Sequence, residues 1–162
     1  MLRGSNDPLF FMFKNIKIIK TGLDPKPLLN KVYDNWSDWD WVSSLNPDDV
    51  GGQKDPYGFL PLIWARVKEG ENPKDTEFLE KTPLFNHYPE VLEFWQKYNV
   101  RSLGRAAFFR LRPDGKVGKH IDEGAYYLTK DRYHLSLQSR YHYTVGDEEM
   151  IVEPGTFFWF HN

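Results

Sequence analysis

The sequence predicts an α+β domain, mostly β, with its helices confined to the N-terminal part. Three observations carry this. From Leu103 to the end, short stretches rich in β-branched and aromatic residues alternate with turn formers. The preceding part holds two helical patterns that open on proline. The chain has 162 residues and no cysteine, so it is one domain's worth of sequence, large enough to hold a core without covalent staples.

In chain order, "NIKIIK" reads as a short strand, and "DPKPLLNKVYDN" as a helix with Leu28, Leu29 and Val32 on one stripe. A loop-rich stretch runs from Trp36 to Pro61, where "NPDDVGGQKDPYG" holds nearly every turn-forming residue type. "HYPEVLEFWQKYN" predicts the clearest helix, with Pro89 in its first turn and Val91, Leu92, Trp95 and Tyr98 on one face. After Asn99 the pattern changes to strands: "LGRAAFFRL", "YHLSLQ", "RYHYTV", "EMIVE" and "TFFWF", divided by "RPDGK", "VGDE" and "EPG". The "GD" between "YHYTV" and "EEMIV" has the form of a hairpin turn. Strands at this spacing point to a sandwich or barrel. The expected organisation is a single domain, 1–162, with a helical, loop-rich buttress at 12–102 and a β core at 103–162.

Composition excludes several chemistries. With no cysteine there is no disulfide, thiolate nucleophile or zinc ribbon, so any metal must be held by nitrogen and oxygen, which favours ions such as iron or manganese. The net charge of -2, from 21 basic and 23 acidic side chains, shows no basic stripe and gives no pull toward nucleic acid or an anionic membrane. No apolar run approaches spanning length, and "LFFMF" is too short and too soon followed by Lys14 to be a signal peptide. A soluble, cytoplasmic protein is the expectation. Aromatic residues make up 17% of the chain; they fill cores and favour strands, and can also line a pocket.

The chemistry-bearing stretch is "GKVGKHIDEG", residues 115–124. In an extended segment His120 and Asp122 point to the same side and can grip one ion, as the two-histidine, one-carboxylate iron(II) site requires. They can equally cap a turn and hydrogen-bond each other. Arg132 reads either as a carboxylate clamp or as a solvated charge beside Asp131. His134 lies on the strand face opposite Leu135 and Leu137, which the pattern alone does not assign to interior or exterior. His87 and His142 read as structural or exposed.

Three blocks in order, "RPDGKVGKHID", "DRYHLSLQ" and "VEPGTFFWFHN", resemble the aspartyl/asparaginyl β-hydroxylase family of iron(II)- and 2-oxoglutarate-dependent dioxygenases over about residues 103–162. The resemblance implies a double-stranded β-helix, the jelly-roll or cupin-like barrel. It implies Fe(II) as metal and 2-oxoglutarate as cosubstrate, with hydroxylation of a peptidyl Asp or Asn, or of a related small molecule. His120, after the turn containing Pro113, takes the place of the proximal metal histidine, and Arg132 with His134 takes that of the Arg-x-His element on the 2-oxoglutarate carboxylate.

Two departures from the family follow. Better-known members lack the carboxylate ligand, whereas Asp122 completes the wider superfamily's triad and leaves no place for a halide, so hydroxylation rather than halogenation is implied. The distal histidine, and the arginine for the far carboxylate, would fall beyond Asn162. The expectation is therefore a C-terminally truncated and inactive chain, whose natural start is Met12 of "MFKNIKIIK". His161 is the one substitute for the distal ligand, although a one-residue shift on a strand turns a side chain to the other face. A missing strand would expose an edge that a second copy of the chain could cover, giving a homodimer. The alternative function is a jelly-roll binding domain without catalysis.

Overall fold

The computed structural model describes residues 15–34, 40–42, 57–98, 103–111, 113 and 115–161. Met12 and residues 43–56 of the loop-rich stretch lie outside the described residues. In order, the elements are β1 (Ile16–Lys20), α1 (Lys26–Asp34), β2 (Asp40–Val42), β3 (Tyr57–Ala65) and β4 (Leu79–Lys81). A 3-10 helix (Pro83–His87), α2 (Pro89–Lys97), β5 (Ala106–Leu111) and α3 (Ala125–Leu128) follow. The chain ends on β6 (Arg132–Leu135), β7 (Tyr141–Val145), β8 (Glu148–Val152) and β9 (Phe157–Phe160). The protein is mostly β with a few helices. Its described strands form three sheets, none closed into a barrel. Two compact units divide it: residues 1–29 with 131–162, and residues 30–130.

The unit formed by the two chain ends is a small sandwich. One layer is the antiparallel sheet β1-β9-β6, the other the β7-β8 hairpin. The hairpin turns at Gly146 and Asp147, with Gly146 at φ 62°, the left-handed conformation that a two-residue turn needs. Alternation along β7 and β8 sends Tyr141, Tyr143, Val145, Met150 and Val152 inward, against Ile16, Phe158 and Phe160. Glu148 fastens the layers further, accepting hydrogen bonds from the backbone N–H of Asn15 (2.9 Å) and Ile16 (3.2 Å). Gly155, φ 79°, sits so close to the Leu23 backbone that no Cβ fits, which is why the "EPG" turn needs a glycine there.

The other unit is organised by β3, which pairs antiparallel with β2, β4 and β5. This strand falls largely outside the sequence expectation, which carried the loop as far as Pro61. Pro61 sits within β3, and the register with β5 shifts between Pro61 and Ile63, the irregularity that lets a strand accommodate a proline. The Pro61 carbonyl is not wasted, since it accepts the Thr82 hydroxyl at 2.8 Å. Leu60, Leu62 and Ile63 of β3 pack with Val32, Phe85, Tyr88 and Ala106. Each of the Val, Leu, Ile and Phe side chains among them contributes about 1.5–3 kcal/mol relative to exposure. Strand structure thus begins well before residue 103: β1 to β4 all precede it.

Both predicted helices form, and Pro89 opens α2 as expected. The face of α2 differs by one residue: Val91 packs on the core, whereas Leu92 is exposed and Phe94 is the half-buried neighbour. Lys31 of α1 forms an ion pair with Glu90. That hydrogen bond holds the Glu90 carboxyl below its ordinary value, partly opposed by burial. Because the folded carboxyl titrates below 4.5, the pair stabilises fully above that pH, and the stabilisation disappears as pH falls through the lower folded value. With both side chains partly exposed, Glu90→Gln is expected to lose about 0.5 kcal/mol at pH 7. Urea titrations at pH 7 and pH 3 should show that difference closing in acid. A difference that persists at pH 3 would exclude the ion pair as its source.

Candidate functional site

The stretch around His120 is a loop between β5 and α3, not a strand, and its downstream end is clamped. Ala125 N–H donates to Asp75 Oδ1 at 2.9 Å, Tyr126 N–H to the Lys74 carbonyl at 3.4 Å, and Lys74 pairs with Glu123 at 3.6 Å. Gly124 lies between these contacts at φ 112°, ψ 150°, a conformation that only glycine adopts readily. Its Cα faces the Lys74 backbone, with no room for a Cβ. Behind α3, the Arg105 guanidinium lies 4.0 Å over the Tyr126 ring and donates to Tyr127 Oη (3.1 Å) and to the carbonyls of Thr76 (3.1 Å) and Pro73. Its backbone N–H also donates to Tyr126 Oη at 2.8 Å. Nothing in the sequence marked Arg105. A lone arginine after a glycine has no motif, and its role arises only where Tyr126, Tyr127 and the 73–76 loop meet.

Within this loop the structure brings His120 and Asp122 together. The His120 Nδ1 is 2.9 Å from the Gly118 carbonyl, which can only accept, so Nδ1 carries the proton. The other ring nitrogen, Nε2, lies 3.3 Å from Asp122 Oδ1, and both side chains are about two-thirds buried or more. A neutral ring would set a lone pair against a carboxylate oxygen. Either a second proton on Nε2 or a cation shared by both atoms resolves that repulsion. The separation is close to the edge of about 3.0 Å between neighbouring ligands on an octahedral ion with bonds of about 2.1 Å. The Nδ1–H to carbonyl bond is also the support that metal-ligating imidazoles ordinarily have. The pair supplies two donors. Among the described residues no group of three or more His, Cys, Asp or Glu is placed to hold a metal ion.

Arg132 and His134 belong to the sandwich unit, on β6. They lie opposite Phe160 and Phe158 of β9, so both point into the layer between the sheets, which resolves the face that the sequence left open. The His134 ring packs edge-on against Phe160 (4.7 Å), Tyr143 (5.4 Å) and Phe158 (5.5 Å), and the Arg132 guanidinium lies 4.7 Å over Phe160. The opposite face carries Tyr133, stacked on Phe157 at 5.7 Å. Burial, aided by the charge of Asp131, raises the Tyr133 phenol above its ordinary value.

The remaining histidines stand apart from this layer. His161 is exposed, its ring 6.1 Å from Trp159, whose indole N–H donates to Asp131 at 3.0 Å; it follows Phe160 by one residue and so turns to the other face of the strand. His87 is exposed, and His142 is exposed beside Glu149. No family model, curated protein or solved structure matches the chain. Among the described residues no helix is long and apolar enough to cross a membrane.

Proposed function

We propose that the protein is an iron(II)- and 2-oxoglutarate-dependent dioxygenase of the aspartyl/asparaginyl β-hydroxylase type, acting on a peptide or small-molecule substrate. The observation that carries this reading is the His120–Asp122 pair: one imidazole with its tautomer fixed by Gly118, facing one carboxylate across 3.3 Å. The jelly-roll assignment is part of the proposal. It is supported by β9, which returns to pair with β6 after the β7-β8 hairpin, the return that characterises a Greek key.

In this reading His120 Nε2 and Asp122 Oδ1 are metal donors. Iron(II) with 2-oxoglutarate would supply the oxygen chemistry of hydroxylation when bound. The chain's own contribution is placement. Arg132 presents a delocalised cation to a carboxylate, His134 adds a ring donor on the same strand face, and Phe158, Phe160 and Tyr143 exclude water so that these charges act at low dielectric.

Manganese(II), titrated by electron paramagnetic resonance, tests the metal donors without requiring turnover. His120→Ala and Asp122→Ala are each expected to weaken binding at least about tenfold, as losing a ligand should cost no less than losing its support. Unchanged manganese binding in both variants would reduce the pair to a turn-stabilising contact and leave the binding-domain reading in its place.

A further inference from the structure

The segment that carries His120 runs beside residues 74–78, and the two are cross-linked. Besides the contacts of Lys74 and Asp75 with Glu123, Ala125 and Tyr126, Lys130 pairs with Glu77 at 3.0 Å. Among the described residues, the three most exposed large apolar side chains all stand along this seam: Leu128 at 78%, Ile121 at 77% and Phe78 at 68%. Single exposed apolar residues are ordinary on a protein surface, whereas several on one short stretch mark a place where something binds. Ile121 is exposed although the side chains on either side of it, His120 and Asp122, turn to each other and are largely covered. α3 divides its residues in the same way, burying Tyr126 and sending Leu128 out. The contacts around Gly124 fix the backbone between Ile121 and Leu128, so a partner meets them on a frame that needs no ordering.

The upstream part of the loop adds charge. Lys116 and Lys119 are exposed around the exposed Val117, and among the described residues neither has an ion pair. The other lysines of the seam are matched, Lys74 by Glu123 and Lys130 by Glu77, and Asp122 faces His120. The loop therefore presents two uncompensated cations beside apolar side chains, on a chain whose net charge is -2. We propose that residues 116–128, with Phe78, form a docking surface for an acidic segment of another protein that carries leucine or phenylalanine side chains. Carboxylates of that segment meet Lys116 and Lys119 at the rim, where charge sets encounter and orientation. Its apolar side chains cover Ile121, Leu128 and Phe78. A basic segment would set like charges against the two lysines, and a purely polar one would leave the apolar side chains in water. Recognition here uses no metal ion, so it stands or falls separately from the metal reading of His120 and Asp122.

The test is fluorescence anisotropy of the full chain with a short fluorescein-labelled peptide in which glutamates alternate with leucines. Two controls carry lysines in place of the glutamates, or serines in place of the leucines. The parent is expected to bind the first peptide at least about tenfold more tightly than either control, the fold-change that covering one aliphatic side chain is worth. Ile121→Ser and Leu128→Ser should each weaken it about tenfold, with the midpoint of thermal unfolding unchanged because both side chains are already exposed. Replacing Lys116 and Lys119 together by glutamine should flatten the dependence of affinity on salt. Phe109→Ser, which removes an exposed apolar side chain from β5, should bind as the parent does. The inference is overturned if the three peptides bind alike, if none binds, or if both serine variants of the loop bind like the parent. It is also overturned if sedimentation shows the parent to be a dimer that Ile121→Ser dissociates, because a second copy of the chain would then be the occupant.

Discussion

Phe158→Ala should cost about 3–5 kcal/mol of stability, the range for removing a buried aromatic ring from a packed core. Phe158 is 0% exposed on the central strand of β1-β9-β6, and its ring meets His134, Tyr143 and Phe160. It has neighbours from both layers, so neither layer can collapse into the space it leaves without pulling away from the other. Because a domain of this kind has only about 5–15 kcal/mol in total, the sandwich unit would be close to unfolding at ambient temperature. Phe158→Leu, which keeps most of the volume, should recover more than half of the loss. Guanidinium titration followed by tryptophan fluorescence measures both variants. A cost below about 1 kcal/mol for the alanine variant would mean that β9 does not hold the two layers together.

Gly124→Ala is expected to combine a stability loss with damage to the candidate metal pair. The backbone conformation alone costs an alanine about 1–3 kcal/mol, and the new Cβ would also meet the Lys74 backbone, so the segment must move. Movement there breaks the contacts of Ala125 to Asp75 and of Tyr126 to Lys74, which fix the chain three and four residues past Asp122. The expected result is a lower unfolding midpoint together with weaker manganese binding, even though neither His120 nor Asp122 has been changed. Parent-like values for both measurements would show that the loop around His120 is held by something other than this clamp.

The strands nearest the end of the chain were readable because their signals are local. "RYHYTVGDEEMIV" alternates on both arms, and its turn residues need no tertiary support, so the hairpin is visible in the letters. β3 was not readable, for the opposite reason. "YGFLPLIWA" has a proline at its centre and turn formers before it, and it becomes a strand because β2, β4 and β5 all pair with it and a register shift absorbs Pro61. α3 was hidden in a run of tyrosines, and four residues carry too little periodicity to register. At the candidate site, the His120–Asp122 spacing was legible as a pair. The tautomer set by the Gly118 carbonyl and the clamp through Arg105 depend on atoms distant in sequence or on backbone direction.

The pairing of β1 with β9 also sets a schedule. Asn15, at the threshold of β1, is bonded to Glu148, 133 positions away, and β9 lies later still. Residues 30–130 come off the ribosome as one uninterrupted stretch and can assemble from contacts among themselves, whereas β1 emerges first and finds its partner last. Bringing the two ends together across an unstructured span of that length would cost about 4 kcal/mol beyond the constant term of loop closure. During synthesis, "NIKIIK" therefore stays an unpaired apolar strand for most of the chain's elongation, and its two lysines, Lys17 and Lys20, are the charges that keep such an edge from joining a stranger in the interval.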